Sequence, residues 1–349
     1  MDAWSHDARP PRDTSDPWGR EWYLGGVLSP LVQLRAEVAA RTPGWRDGAP
    51  ARRHMMRAIL AGLAKDGSLD IHARGNRLLG FVLSWWEARG WIGGPLQRVM
   101  VEVEPESQAA ADWATERILR LGGALDGPLD LRVNAEQHLL RRRLVHAGLG
   151  VDSVRLVGAP GPALVMLQAR WDPPRTLEHL GLALTPMAPH HVDDVIALRH
   201  RVFRTSPEYC WFGAMPGHLE ALRRDLERPS PDERHRVVLA EGHVMGIATA
   251  SLRADPCWGR TARMDLVLDP AIQGKGIAKT IYRGALDWMI ERGADCLQGG
   301  TAQPAIMHLG RAMGRVPFET NHRRAVAFNR AHFDPSLGPE PRSRQTAPA

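Results

Sequence analysis

The sequence predicts an α/β protein, a mixed and mostly antiparallel twisted sheet flanked by helices, laid down twice in tandem. Three observations carry this. Segments of alternating apolar and polar residues interleave with segments of 3.6-residue apolar period, the pattern of a sheet with helices on its faces. Three anchor pairs, Gly80/Gly246, Pro105/Pro270 and Gly148/Gly314, lie 166, 165 and 166 positions apart. A constant offset of that length means duplicated domains rather than a solenoid of short repeats. Finally, 349 residues with 44% hydrophobic and 24% charged side chains are enough for two ordinary globular cores.

Each copy opens with two helices, expected at 30–41 and 51–64, then at 190–203 and 216–227. Strands follow at 68–73, 78–86 and 97–104, then at 235–240, 244–252 and 262–269. In the first copy Asn76–Ser84 reads as a turn and strand, as Gly242–Ala250 does in the second. The third strand of each copy runs into a proline, Pro105 or Pro270, and a helix follows, at 107–121 or 276–291. A strand, a helix and a closing pair of strands complete each copy. The domains are expected at 19–170 and 182–334, joined by a linker at 171–181 around Trp171-Asp-Pro-Pro-Arg. Residues 1–18 and 335–349, rich in Pro, Arg, Asp and Ser without periodicity, read as disordered ends.

Composition excludes several classes. The apolar runs, such as Leu78–Leu83, are far short of the ~20 residues that span a bilayer. No apolar core follows Met1, so no signal peptide is expected. Cys210, Cys257 and Cys296 are too scattered for a disulfide framework or a zinc site, which fits a reducing cytoplasm. His190-His191 lacks further ligands at usable spacing, so no metal is expected. The net charge of +6 is spread along the chain rather than gathered in a stripe, which argues against a nucleic-acid partner.

Chemistry concentrates in Leu266-Val267-Leu268-Asp-Pro-Ala-Ile-Gln273-Gly274-Lys275-Gly276-Ile277-Ala278-Lys279. A strand ends, a glycine-rich loop follows, and an amphipathic helix begins. The first N–H groups of a helix have no partner in the helix and carry the positive end of its dipole. Gly274 and Gly276 remove side chains that would keep a phosphate from them. Two of the chain's three lysines, Lys275 and Lys279, stand beside the loop. A purely structural strand-to-helix turn is the alternative.

Gln273-Gly-Lys-Gly276-Ile-Ala278 resembles the Gln/Arg-x-x-Gly-x-Gly/Ala signature of the Gcn5-related N-acetyltransferase (GNAT) superfamily, and the element order from Leu182 to about Phe333 is similar to that family's. The resemblance implies two tandem GNAT-like domains. It implies that the loop holds the pyrophosphate of acetyl-CoA, the acyl donor, and that the backbone of Leu266, Val267 and Leu268 holds the pantetheine arm beside a bulge that splays the sheet. The first copy departs from the signature. Gln108 follows Pro105 at the right distance, but Ala109, Ala111 and Trp113 stand where Gly274, Gly276 and Ala278 do, and Asp112 would repel a phosphate. The first domain is therefore expected to keep the fold without the site.

Amine acylation needs a base for the ammonium, donors for the oxyanion and a proton for the leaving thiolate. The family's tyrosine before the Gly-Phe pair would fall at Gly310, and Arg315 replaces the aromatic after Gly314. His308 lies two residues from that position, on another helix face, and reads as a surface histidine. Tyr209 is the candidate acid, since Tyr282 on the cradle helix reads as a packing residue. Gln298 stands where some relatives carry glutamate, which leaves Asp265 as the candidate base. The loop residues Glu208, Tyr209, Trp211 and Phe212 are expected to bind the acceptor, with Glu208 receiving its ammonium.

The expected function is acetyl-CoA-dependent N-acylation of a primary amine, on a small molecule or peptide, by direct attack. A non-catalytic CoA-sensing or scaffolding module and an aminoacyl-tRNA-dependent transferase remain the alternatives.

Overall fold

The computed structural model describes residues 17–88, 96–122, 129–170, 177–206 and 216–324. The first half contains α1 (Pro17–Ala39), α2 (Ala49–Leu63), β1 (Ser68–Arg74), β2 (Arg77–Glu87), β3 (Leu96–Val103), α3 (Gln108–Leu119), β4 (Leu129–Asn134), α4 (His138–His146), β5 (Leu149–Gly158) and α5 (Pro160–Arg170). The second contains β6 (Leu182–Pro186), α6 (Val192–Thr205), α7 (Pro216–Glu227), β7 (Glu233–Ala240), β8 (His243–Asp255), β9 (Gly259–Leu268), α8 (Ile277–Glu291), β10 (Cys296–Thr301), α9 (Pro304–Ala312) and β11 (Val316–Arg324). None of the described helices is long and apolar enough to cross a membrane.

Most elements fall within a few residues of their expected places, because alternation and helical period coincide with burial. In β2, Phe81 and Leu83 pack under α1 and α2, while Val82 packs with α3 and α4 on the other face. Helix α1 departs from expectation. It starts at Pro17 and passes through Pro30, whose exposed position leaves the missing amide bond on the water side. Residues 17 and 18, expected to be disordered, therefore open a helix; residues 1–16 and the expected tail at 335–349 lie outside the described residues. In the expected linker, Leu177–Leu180 forms a 3-10 turn and 171–176 lie outside the described residues.

The strands form one continuous eleven-stranded sheet, ordered β1-β2-β3-β4-β11-β5-β10-β9-β8-β7-β6. The expected closing pair of strands is absent from the first half, where α5 follows β5 directly. Instead the halves exchange strands. β5 pairs antiparallel with β10 of the second half, from Leu297↔Gly158 to Thr301↔Val154. β11 pairs antiparallel with β4 of the first half, from Glu319↔Asn134 to His322↔Leu131. β5 and β11 also pair with each other at the centre. Ladder bonds on both edges of each exchanged strand satisfy backbone groups that either half alone would leave open. Side chains reinforce the exchange: Arg155 pairs with Glu319 at 2.8 Å, and Arg141 donates to Thr320 at 3.1 Å.

One sheet face carries α1 and α2 over the first half and α6 and α7 over the second. The opposite face carries α3 and α4, then α5, α8 and α9. On the first face a cavity of about 790 Å³ lies over the central strands, walled by α1, α2 and the turn between β8 and β9.

Candidate functional site

β9 ends at Leu268, and the chain turns through Asp269, whose side chain accepts from the Ala271 N–H at 3.0 Å. Arg201 of α6 pairs with the same carboxylate at 2.6 Å. Burial alone would raise this carboxyl; the Ala271 amide and Arg201 outweigh it and hold it below the usual range. Gln273 closes the turn by donating from Nε2 to the Leu268 carbonyl at 2.8 Å. Ile272, Ile277 and Ile281 are buried against Leu268, Val238 and Ala248, which pins both ends of the loop to the sheet.

Between these anchors Gln273, Gly274, Lys275 and Gly276 are exposed. Gly274 has φ +74° and Gly276 φ +80°, the left-handed region that glycine occupies without strain. A Cβ on either would meet nothing within 4 Å, so the space in front of the loop is open. Gly276 is the N-cap of α8, and no side chain caps that end. The Gln273 N–H is spent on the Pro270 carbonyl at 3.2 Å, which leaves the amides of Gly274, Lys275 and Gly276 and the first turn of α8 at a positive helix terminus, a donor set that suits a pyrophosphate. Ile277 is buried behind the loop; Ala278 and Lys279 are half-buried on the first turn of α8.

The first half has no such loop. α8 begins seven residues after Pro270, whereas α3 begins three residues after Pro105. Ser107 caps α3 by accepting from Ala110 N–H at 3.2 Å. Ala111 and Trp113, which stand at the Gly276 and Ala278 positions, are wound into α3 rather than set in front of a cradle. Ala111 is fully buried in the core, and Trp113 stacks on His72 with centroids 5.1 Å apart. Asp112 pairs with Arg143 at 2.6 Å.

β9 and β10 run parallel for only three pairs, Thr261–Arg263 against Cys296–Gln298, and then part. From Met264 to Leu268, β9 has no strand on that edge among the described residues. This is the expected opening beside Leu266, Val267 and Leu268, but the expected bulge is missing. β9 pairs with β8 without a register shift from Gly246↔Leu268 to Asp255↔Gly259, so the strands open by diverging. In the first half the matching gap is filled from within: buried Gln137 donates to the Val103 carbonyl at 3.0 Å.

Asp265 is half exposed on the face that carries α6, where it forms an ion pair with Arg199. Arg199, missed in the sequence, also lies over the Phe203 ring at 4.9 Å. Glu208, Tyr209, Trp211 and Phe212 lie outside the described residues. His308 is exposed. Tyr282 is buried, and burial raises its hydroxyl. His191 accepts from Ala188 N–H at 3.0 Å.

Gly310 explains its own identity. A Cβ there would lie 2.4 Å from Leu156 Cδ1 of the exchanged strand β5. Arg315 is buried and donates to the carbonyls of Leu156 at 3.0 Å and Gly299 at 3.3 Å, fastening β5 to β10.

Residues 200–306 match the model of the acetyltransferase (GNAT) family. No curated protein sequence matches the chain. Among solved structures, the chain is similar to a GCN5-related glucosamine N-acetyltransferase region of a fungal multi-domain GH3 β-N-acetylglucosaminidase, with TM-score 0.51 and 15% identity. That match covers 86% of this chain and 37% of the fungal one, so the chain spans little more than a third of that protein's length. Other matches are a GCN5-related N-acetyltransferase from Sphaerobacter thermophilus (TM-score 0.48, 12% identity, 87% and 93% covered) and a tandem GNAT protein from the clavulanic acid biosynthesis pathway (TM-score 0.43, 14% identity, 86% and 94% covered). The stretch that matches the family model carries the glycine loop, its helix and the parting strands, so residues 200–306 are where the chain is similar to the GNAT acetyltransferase family.

Proposed function

We propose that residues 182–334 form an acetyl-CoA-dependent N-acetyltransferase acting on a primary amine by direct attack. The observation that carries the reading is the pair of left-handed glycines, Gly274 and Gly276, over open space at an uncapped helix N-terminus. The amides of Gly274, Lys275, Gly276, Ile277 and Ala278 would hold the pyrophosphate on the turn that Gln273 closes, with the Lys275 and Lys279 charges beside it. The unpaired edge of β9 at Leu266, Val267 and Leu268 would hold the pantetheine arm. Acetyl-CoA supplies an activated acyl carbon: the amine nitrogen bonds to it, the carbon–sulfur bond breaks, and the thiolate takes a proton. Asp265 is the proposed base, on the acceptor face of the sheet, and Tyr209 the proposed acid. Glu208, Tyr209, Trp211 and Phe212 are the proposed acceptor-binding residues.

Calorimetry with acetyl-CoA on the whole chain tests this. We expect one binding site, lost in Gly276→Asp, because a carboxylate at a left-handed position faces the phosphates. Unchanged binding in that variant would reduce the loop to a structural turn. A second reading, a CoA-binding module without turnover, is favoured by the filled space at Gly310 and the burial of Tyr282. It would be supported by acetyl-CoA binding without thiol release across amine acceptors.

A further inference from the structure

The large cavity lies over the central strands, beside α1, α2 and the turn between β8 and β9. Its floor is charged, and almost every charge there has a partner. Arg132 and Arg155 pair with Glu319, Arg132 also with Asp130, and Arg35 with Glu102. Arg98 of β3 pairs with Glu87 and Asp130.

Arg263 breaks this pattern. It is the repeat counterpart of Arg98: the two lie 165 positions apart, as Pro105 and Pro270 do, and both line the cavity. Arg98 faces Asp130 across its parallel strand pair. Arg263 faces Gln298 across the corresponding pair. Glu87, the other partner of Arg98, corresponds at the 166-residue offset to Arg253. Both acids that neutralise the first-half arginine are thus replaced, one by an amide and one by a cation. Among the described residues Arg263 has no ion pair, and its buried Nε has no hydrogen-bond partner. Burial and the charges of Arg155 and Arg253 hold its guanidinium below the usual range, with Asp255 opposing.

Gln298 is 2% exposed, and its Nε2 also lacks a hydrogen-bond partner. The amide acts on the buried Cys296 thiol two residues away, a weak acceptor, without reaching hydrogen-bond geometry. Unmet buried donors beside an unneutralised cation are costly unless a ligand completes them. Both residues line the cavity and stand at the last paired step before β9 and β10 part, one step along the strand from the opening beside the acyl site proposed above.

We propose that this cavity is the acceptor pocket and that Arg263 and Gln298 bind an oxyanion on the acceptor, which is therefore an amine bearing a carboxylate or phosphate-type group. The first half supplies the far wall through Arg35, Trp45 and Glu102. The inference rests on the acyltransferase reading for the amine's fate, while the anion site stands on its own geometry.

The test uses the whole chain and a panel of α-amino acids, their carboxamides and their aminophosphonate analogues. Binding is read by calorimetry without acetyl-CoA, and turnover by thiol release with it. We expect at least one oxyanion-bearing amine to bind about tenfold or more tightly than its carboxamide, the size of a charge-assisted hydrogen bond. The carboxylate and phosphonate arms identify the group. Arg263→Met should abolish the preference while leaving acetyl-CoA binding intact, and Gln298→Leu should weaken it without altering the charge. No binding by any panel member, equal binding of carboxamides, or a preference surviving in Arg263→Met with a normal melting curve would overturn the proposal. Acetyl-CoA binding separates the two readings. Its absence with the anion preference intact removes the acyltransferase, and the converse removes only the anion site.

Discussion

Glu102 is the clearest case of a residue whose properties come from its surroundings. It is 8% exposed on β3, with Arg35 Nε 3.6 Å away and one carboxylate oxygen unpartnered. Burial pushes its carboxyl up to about 7; Arg35 opposes the shift and the Glu319 charge adds to it. The unfolded chain releases this proton in the ordinary carboxylate range, while the folded chain keeps it until about pH 7. Stability is therefore fullest below the unfolded value and falls as pH rises through the folded one, by about 3 kcal/mol across a shift of that size. Glu102→Gln should melt higher than the parent at pH 8, and the gap should close toward pH 4. Thermal melts across that range check it, and an equal gap at both ends would place the cost elsewhere.

At the scale of elements, the contact between β5 and α9 decides what chemistry the second half can hold. Leu156 of β5 fills the space beside Gly310, and Arg315 fastens β5 to β10. The tyrosine that the family resemblance places at 310 is thus excluded by packing, and restoring it would not restore a proton donor. Gly310→Tyr should lower stability by about 3 kcal/mol or more, since a ring must displace a strand side chain in a packed core. Melting temperature and thiol release together check this; a stable variant with faster turnover would contradict it. The two glycine-loop counterparts make the same point. Equivalent sequence positions became an exposed loop before α8 and the first turn of α3, because Ser107 caps α3 at once while Gly274 and Gly276 carry the chain through left-handed turns.

At the scale of the molecule, the exchanged strands make the halves mutually dependent. Without β11 the first half leaves the edge of β4 open, and without β5 the second leaves the edge of β10 open. A chain cut between residues 170 and 177 should yield two fragments that co-purify when expressed together and aggregate when expressed alone. Size-exclusion chromatography checks this. Independent, monomeric, soluble halves would mean that the exchange contributes little to stability.

Much of this architecture was legible in the sequence. The 165–166 offset, the element order and the glycine loop all follow from local rules, since backbone freedom, helix capping and burial period act over a few residues. The loss of the loop in the first half was legible too, though not its form. Three other features arose only from contacts between separate strands, beyond the reach of local sequence rules. Strand exchange set aside the expected closing pair, because which edge a strand joins depends on what else is open. The opening of β9 came from divergence rather than a bulge, because it is set by register against β10. The unneutralised state of Arg263 was hidden for the same reason: Arg98 and Arg263 look alike in sequence, and only the strands beside them decide that one meets carboxylates and the other an amide and a second arginine.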